Sequence, residues 1–163
     1  MGYTHYYTPK AATDSKWEKF VTTCKTLHKN LPKTTNTAGG YHENDKLVIC
    51  GGIGTGLPQI DINGVIFNGN KDKGLDHETL WIKKDELDWS FTKTARKPYD
   101  LLVCAVLIAA NEILGYDISS DGDFEDWKPA INYYLRTIYS EMPKDKEMKL
   151  ILPEFLHTEY VNL

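Results

Sequence analysis

A chain of 163 residues with 41% hydrophobic and 26% charged residues has the composition of one ordinary globular domain, neither fibrous nor disordered. Its net charge of −4 excludes the basic footprint that duplex nucleic acid requires, because phosphate binding draws on a cationic face that releases condensed counterions. The longest purely apolar run, Leu101 to Ala110, is too short to cross a bilayer, and no basic segment followed by an apolar one opens the sequence, so neither membrane association nor a secretory leader is expected.

The first segment, Tyr3 to Thr8, is dense in aromatic and β-branched residues and stops at Pro9, which predicts a strand. Trp17, Phe20, Val21, Cys24, Leu27 and His28 then recur at helical spacing, with Ser15 and Glu18 placed as a capping box and Pro32 as the latest end. Residues 33 to 45, rich in Thr, Asn and Gly, read as a loop leading to a short strand, Leu47 to Cys50. The glycines at 51, 52, 54 and 56 invite a phosphate-loop reading, but such a loop needs a helix directly after it to hold the phosphate. Here Pro58 leads instead into alternating residues around Asn63-Gly64, the pattern of a β-hairpin with a type I′ turn.

A turn from Asn68 to Gly74 precedes a strand from Glu78 to Ile82. The acidic and aromatic stretch Asp85 to Phe91 leaves its element open. The most apolar helix is expected to begin at Pro98 and stop at Gly115, and apolar residues almost all round it predict a central, buried position. A turn through Ser119 to Gly122 leads to a last helix capped near Asp126, with Pro129 in its first turn, and Lys149 to Leu152 reads as an edge strand. The expectation is one α+β domain over residues 1–163, with a mostly antiparallel sheet packed against a central buried helix and two further helices. Cys24, Cys50 and Cys104 are odd in number and lack Cys-x-x-Cys spacing, which predicts core thiols in a reducing, cytoplasmic setting.

Lys93, Arg96 and Lys97 stand just before the helix from Pro98. A helix N-terminus carries about half a positive charge, so a cluster of cations there asks for a bound anion or for nearby acids such as Asp100 to neutralise it. His77 and Thr79 alternate onto one face, where they could hydrogen-bond phosphate oxygens, or His77 could act as an acid or base. His77-x-Thr79 resembles half of the paired His-x-Thr signature of two-histidine phosphoesterases; no second copy follows His28, His42 or His157. Tyr3, His5 and Tyr7 alternate onto one strand face, where rings could stack on a nucleobase or simply pack. Asp121, Asp123, Glu125 and Asp126 lack the central glycine and twelfth-position Glu of a calcium loop, and helix capping accounts for them. No His-Glu-x-x-His or Gly-x-Ser-x-Gly occurs, so no metal, no cofactor and no serine chemistry are expected.

Four of these segments, Gly2–Tyr6, His77–Leu80, Lys93–Asp100 and Ser120–Gly122 followed by Trp127, together resemble a family of small, functionally unassigned proteins from bacteriophage and bacterial genomes. Leu80 stands where that family usually has Phe, and Thr92 where it often has Cys. The resemblance implies a phage accessory protein in a host bacterial cytoplasm. Phage proteins of this size include some that bind or cleave nucleotide second messengers of host immunity.

The leading expectation is sequestration of a small anionic, nucleotide-like ligand. Lys93, Arg96 and Lys97 would hold phosphate, His77 and Thr79 would hydrogen-bond it, and His5 with Tyr3 or Tyr99 would contact base or ribose. One alternative is a metal-independent phosphoesterase or nucleotide hydrolase using His77 or His5. Another is a protein inhibitor of a host enzyme anchored by Trp81, Trp89 and Phe91. A homo-oligomer is compatible with each.

Overall fold

The computed structural model describes residues 2–32 and 47–159. Strand β1 (Thr4–Thr8) is followed by helix α1 (Asp14–Lys29), then by β2 (Gln59–Asp61), β3 (Gly64–Phe67), β4 (Leu80–Ile82) and β5 (Ser90–Lys93). Helix α2 (Asp100–Leu114), β6 (Asp117–Ser120), α3 (Phe124–Ile138) and α4 (Asp145–Ile151) complete the regular elements. One antiparallel sheet has the order β5-β1-β6 and the other β2-β3-β4. This is the expected α+β class with antiparallel pairing.

Helix α2 forms the centre: every residue from Leu101 to Ala110 is buried, and α1, α3 and α4 all pack on it. Gly115 ends it at φ 72°, the left-handed stop that lets its amide bond back to Asn111 O. The helix starts at Asp100, two residues after Pro98, because residues 94–101 first run through successive turns. Tyr7, Trp17, Phe20, Trp127 and Tyr134 fill the space around it, and the three cysteines are buried free thiols.

Several local expectations shift. Thr13, whose hydroxyl accepts from Lys16 N at 3.2 Å, caps α1, so Ser15 lies inside the helix. Asp123 caps α3 through a reciprocal box with Asp126, which leaves Pro129 inside the helix beyond its first turn. Both Pro129 and Glu125, whose carbonyl loses its helical partner there, are exposed, so water can satisfy that oxygen. The hairpin pairs Asp61 with Gly64, so its loop is Ile62-Asn63 and lacks the positive φ of a type I′ turn. Asp61 Oδ1 accepts from Asn63 N at 2.8 Å and closes the turn one residue early.

Leu47–Ile49 form no strand, and Cys50 makes only an isolated bridge to Asn68. Glu78 and Thr79 precede β4 instead of lying in it, Asp117–Ser120 form a strand that takes in the first two residues of the turn expected over Ser119 to Gly122, and the Lys149–Leu152 segment belongs mostly to α4. The expected loop at 33–45 lies outside the described residues. Among the described residues no helix is long and apolar enough to cross a membrane.

Candidate functional site

The two sheet registers bring the sequence motifs together. Thr4 pairs with Lys93 and His5 with Ser120, so β1 lies between the segment that ends in Asp100 and the one that begins Ser120-Asp121-Gly122. Asp121 fastens this edge: its amide donates to Thr4 O at 2.9 Å and its carboxylate accepts from Thr4 N and Tyr6 Oη. Glu78 joins from the other side, with its amide on Lys93 O at 3.0 Å and its carboxylate on Lys93 N at 2.7 Å.

His5 stands at the centre of the convergence and is fully buried. Its ring meets Tyr3 and Trp127 edge-on, at centroid distances of 4.9 and 5.0 Å. Nδ1 lies 2.7 Å from Ser120 Oγ, and Nε2 lies 2.6 Å from Asp100 Oδ1. Counting hydrogens fixes the tautomer. Ser120 Oγ accepts from Gly122 N at 2.9 Å and from Trp127 Nε1 at 3.1 Å, which occupies both lone pairs of a hydroxyl. Its one hydrogen is left for His5 Nδ1, and His5 Nε2–H therefore donates to Asp100.

Asp100 also accepts from Thr94 Oγ1 at 2.6 Å and, through Oδ2, from the Cys104 thiol at 3.5 Å. As the first residue of α2 its carboxylate meets the positive end of the helix dipole, the anion that such a terminus favours. Burial, then the Asp100 charge, pushes the Cys104 thiol well above its ordinary range, so it stays protonated as a donor.

His5, Asp100 and Cys104 offer three metal-ligating atoms within 4.8 Å of one another. The arrangement does not fit an ion. The His5 nitrogen that would coordinate carries the hydrogen directed at Asp100, and 2.6 Å between two donor atoms is a hydrogen bond, shorter than ligand pairs around a metal at about 2.0–2.3 Å per bond allow.

A strained turn lies above this network. Ala95 and Arg96 have φ of 52° and 59°, the only positive values among described residues other than glycine, and Lys97 N closes the turn on Thr94 O at 3.0 Å. Positive φ at both central positions is the type I′ signature, and each non-glycine residue there costs about 1–2 kcal/mol. The turn delivers Arg96 onto the Tyr3 ring, 4.0 Å from its centroid, and one guanidinium nitrogen donates to Asp126 at 2.8 Å. Burial works most strongly against the Asp126 charge, but the Arg96 bond and charge together with the Asp123 hydrogen bonds outweigh it and hold that carboxyl below its usual range. Tyr3 is only 4% exposed, and its hydroxyl has no hydrogen-bond partner among the described residues. Gly122 makes room for it: a Cβ there would fall 2.2 Å from the Tyr3 oxygen.

Comparison with protein-family models, curated proteins and solved structures finds no match to this chain. The site is therefore read from its own geometry.

The other residues singled out in the sequence distribute as follows. Lys93 runs over Gly2, with its ammonium 3.5 Å from where a Cβ there would be, and Lys97 Nζ donates to Gly74 O at 2.9 Å. His77 is exposed on the same rim and its Nδ1 donates to Lys93 O at 2.9 Å. Thr79 is turned inward, donating to Gly52 O and accepting from Asn68 Nδ2 at 3.2 Å. Tyr99 is buried, with its hydroxyl on Glu78 O at 2.6 Å. His5, Tyr3, Arg96, Lys93 and His77 thus belong to one region, while Thr79 and Tyr99 brace it from within. Sequence reasoning gave no site role to Thr94, Asp100, Cys104, Ser120, Trp127 and Asp126. All but Cys104 and Asp126 lie in the quoted motifs, and alternation of Tyr3, His5 and Tyr7 onto one face was the available sign that His5 looks inward.

Proposed function

We propose that the protein binds and sequesters a small phosphate-bearing ligand of the nucleotide class where these four segments converge. The observation that carries this reading is Arg96, held in left-handed backbone over Tyr3, whose buried hydroxyl lacks a partner among the described residues. Strain retained at two adjacent residues has to be offset by the surrounding structure, and such outliers cluster at ligand sites. A guanidinium bound to Asp126 through one nitrogen keeps further donors for a second oxyanion, and a phenolic O–H beside it supplies another. Lys93 and His77 on the rim add a cation and a ring nitrogen. Because Tyr3, His5 and Tyr99 are buried in packing, the phosphate and not the base supplies most of the recognition. The resemblance of the same segments to phage proteins favours removal of a host nucleotide signal as the purpose.

A second reading is hydrolysis, favoured by the line Asp100–His5–Ser120. It ranks second because both Ser120 lone pairs are occupied and the His5 ring is enclosed.

Incubating the protein with mono-, di- and cyclic nucleotides, removing unbound material, denaturing by heat and weighing what is released separates these readings. Intact nucleotide recovered from the wild type, and at least about tenfold less from Arg96→Ala, is the expected result. A chemically altered nucleotide whose formation stops in Ser120→Ala would make the protein an enzyme. Nothing retained or altered would overturn both.

A further inference from the structure

A separate groove of about 480 Å³ opens at the far end of β1, between the β4–β5 connection and the segment before β6. Its three charged lining residues, Asp85, Glu86 and Asp88, are all acidic and exposed. Its walls are the indoles of Trp81 and Trp89, 45% and 58% exposed. Both rings are held in place: Trp81 Nε1 donates to Glu86 at 2.6 Å, and Trp89 stacks on Tyr6 at 6.0 Å. The chain already places one cation on this surface, with Lys83 Nζ 4.6 Å from the Trp81 ring centroid.

An independent observation comes from the wall of the same groove. Tyr116 is 1% exposed, and its hydroxyl has no hydrogen-bond partner among the described residues. Leaving a buried hydroxyl unpaired is costly in a native fold, and a ligand that donates or accepts there removes the cost.

We propose that this groove binds a linear polyamine. Carboxylates on an open rim attract ammonium groups, indole faces favour both the cation and the methylenes between ammoniums, and the Tyr116 oxygen accepts one N–H. The volume lies in the small-ligand range, which suits a flexible small cation better than a folded partner. The groove contains none of the residues assigned to phosphate binding, so the two sites can fail independently.

Isothermal titration of the full chain with spermidine tests the assignment, with an arginine-rich peptide as the competing probe and circular dichroism and thermal melting to confirm folding of each variant. Spermidine should bind, more weakly at high salt, and the double variant Asp85→Asn/Asp88→Asn and the single variant Trp89→Ala should each weaken it about tenfold or more. Tyr116→Phe should weaken binding while leaving thermal stability equal or higher, which a packing role alone would not produce. Arg96→Ala should leave spermidine binding unchanged. Absence of spermidine binding at millimolar concentration, equal binding by the Asn variant, or binding of the peptide but not of spermidine would each overturn the proposal.

Discussion

His5 on β1 and Asp100 at the start of α2 are 95 positions apart and meet at 2.6 Å, with the imidazole N–H directed at the carboxylate. This contact ties the central helix to the middle strand of one sheet. Removing the carboxylate strands His5 Nε2–H, Thr94 Oγ1 and the Cys104 thiol at once. Asp100→Ala is therefore expected to destabilise the fold by about 3 kcal/mol, the cost of losing a charge-assisted bond and orphaning buried donors. The shift in urea midpoint at constant slope reads it; a change under about 0.5 kcal/mol would mean the network is dispensable.

Ala95→Gly should relieve the left-handed backbone of the Thr94–Lys97 turn. Glycine removes a penalty of about 1–2 kcal/mol but gives back part of it as unfolded-state entropy, so a net stabilisation of about 0.5–1 kcal/mol is expected. Ala95→Val should destabilise, since a β-branched side chain suits positive φ least. Denaturant melts of the two variants should move in opposite directions.

Tyr3→Phe removes a buried hydroxyl that has no partner among the described residues while keeping the ring beneath Arg96. Stability should rise by about 1 kcal/mol, and nucleotide retention should fall. Equal retention by the variant would take the hydroxyl out of the ligand site.

Tyr116 gives the pH dependence its sign. Burial, and then the neighbouring Tyr7, pushes its phenol up to about 12 from an ordinary value of 10.0. The folded state thus holds this proton more tightly than the unfolded chain, so its contribution to stability is complete below pH 10 and is lost as pH rises from there through about 12. Melting temperature measured across that interval should fall less steeply in Tyr116→Phe than in the wild type.

Much of the architecture was legible along the chain. The apolar run 101–110 marks the central helix, Gly115 its end, and the alternation around residues 59–67 a hairpin. Exact boundaries were not, because Thr13 and Ser15, or Asp123 and Asp126, carry the same capping chemistry and differ only in which one the approaching chain leaves extended. Strand β6 was missed because Asp117, Ser119 and Ser120 are turn-forming residues; its pairing with β1 overrides their local preference.

Composition, periodicity and the run of motifs by themselves determined the α+β class, the buried helix and the short segments in which most of the site residues lie. Only the tertiary structure decided that those segments meet, that His5 looks inward to Asp100 and Ser120, and that Arg96 is turned onto Tyr3. Local sequence sets which face of an element is apolar, whereas the register of β1 against β5 and β6 is set by packing between residues 83 to 115 positions apart.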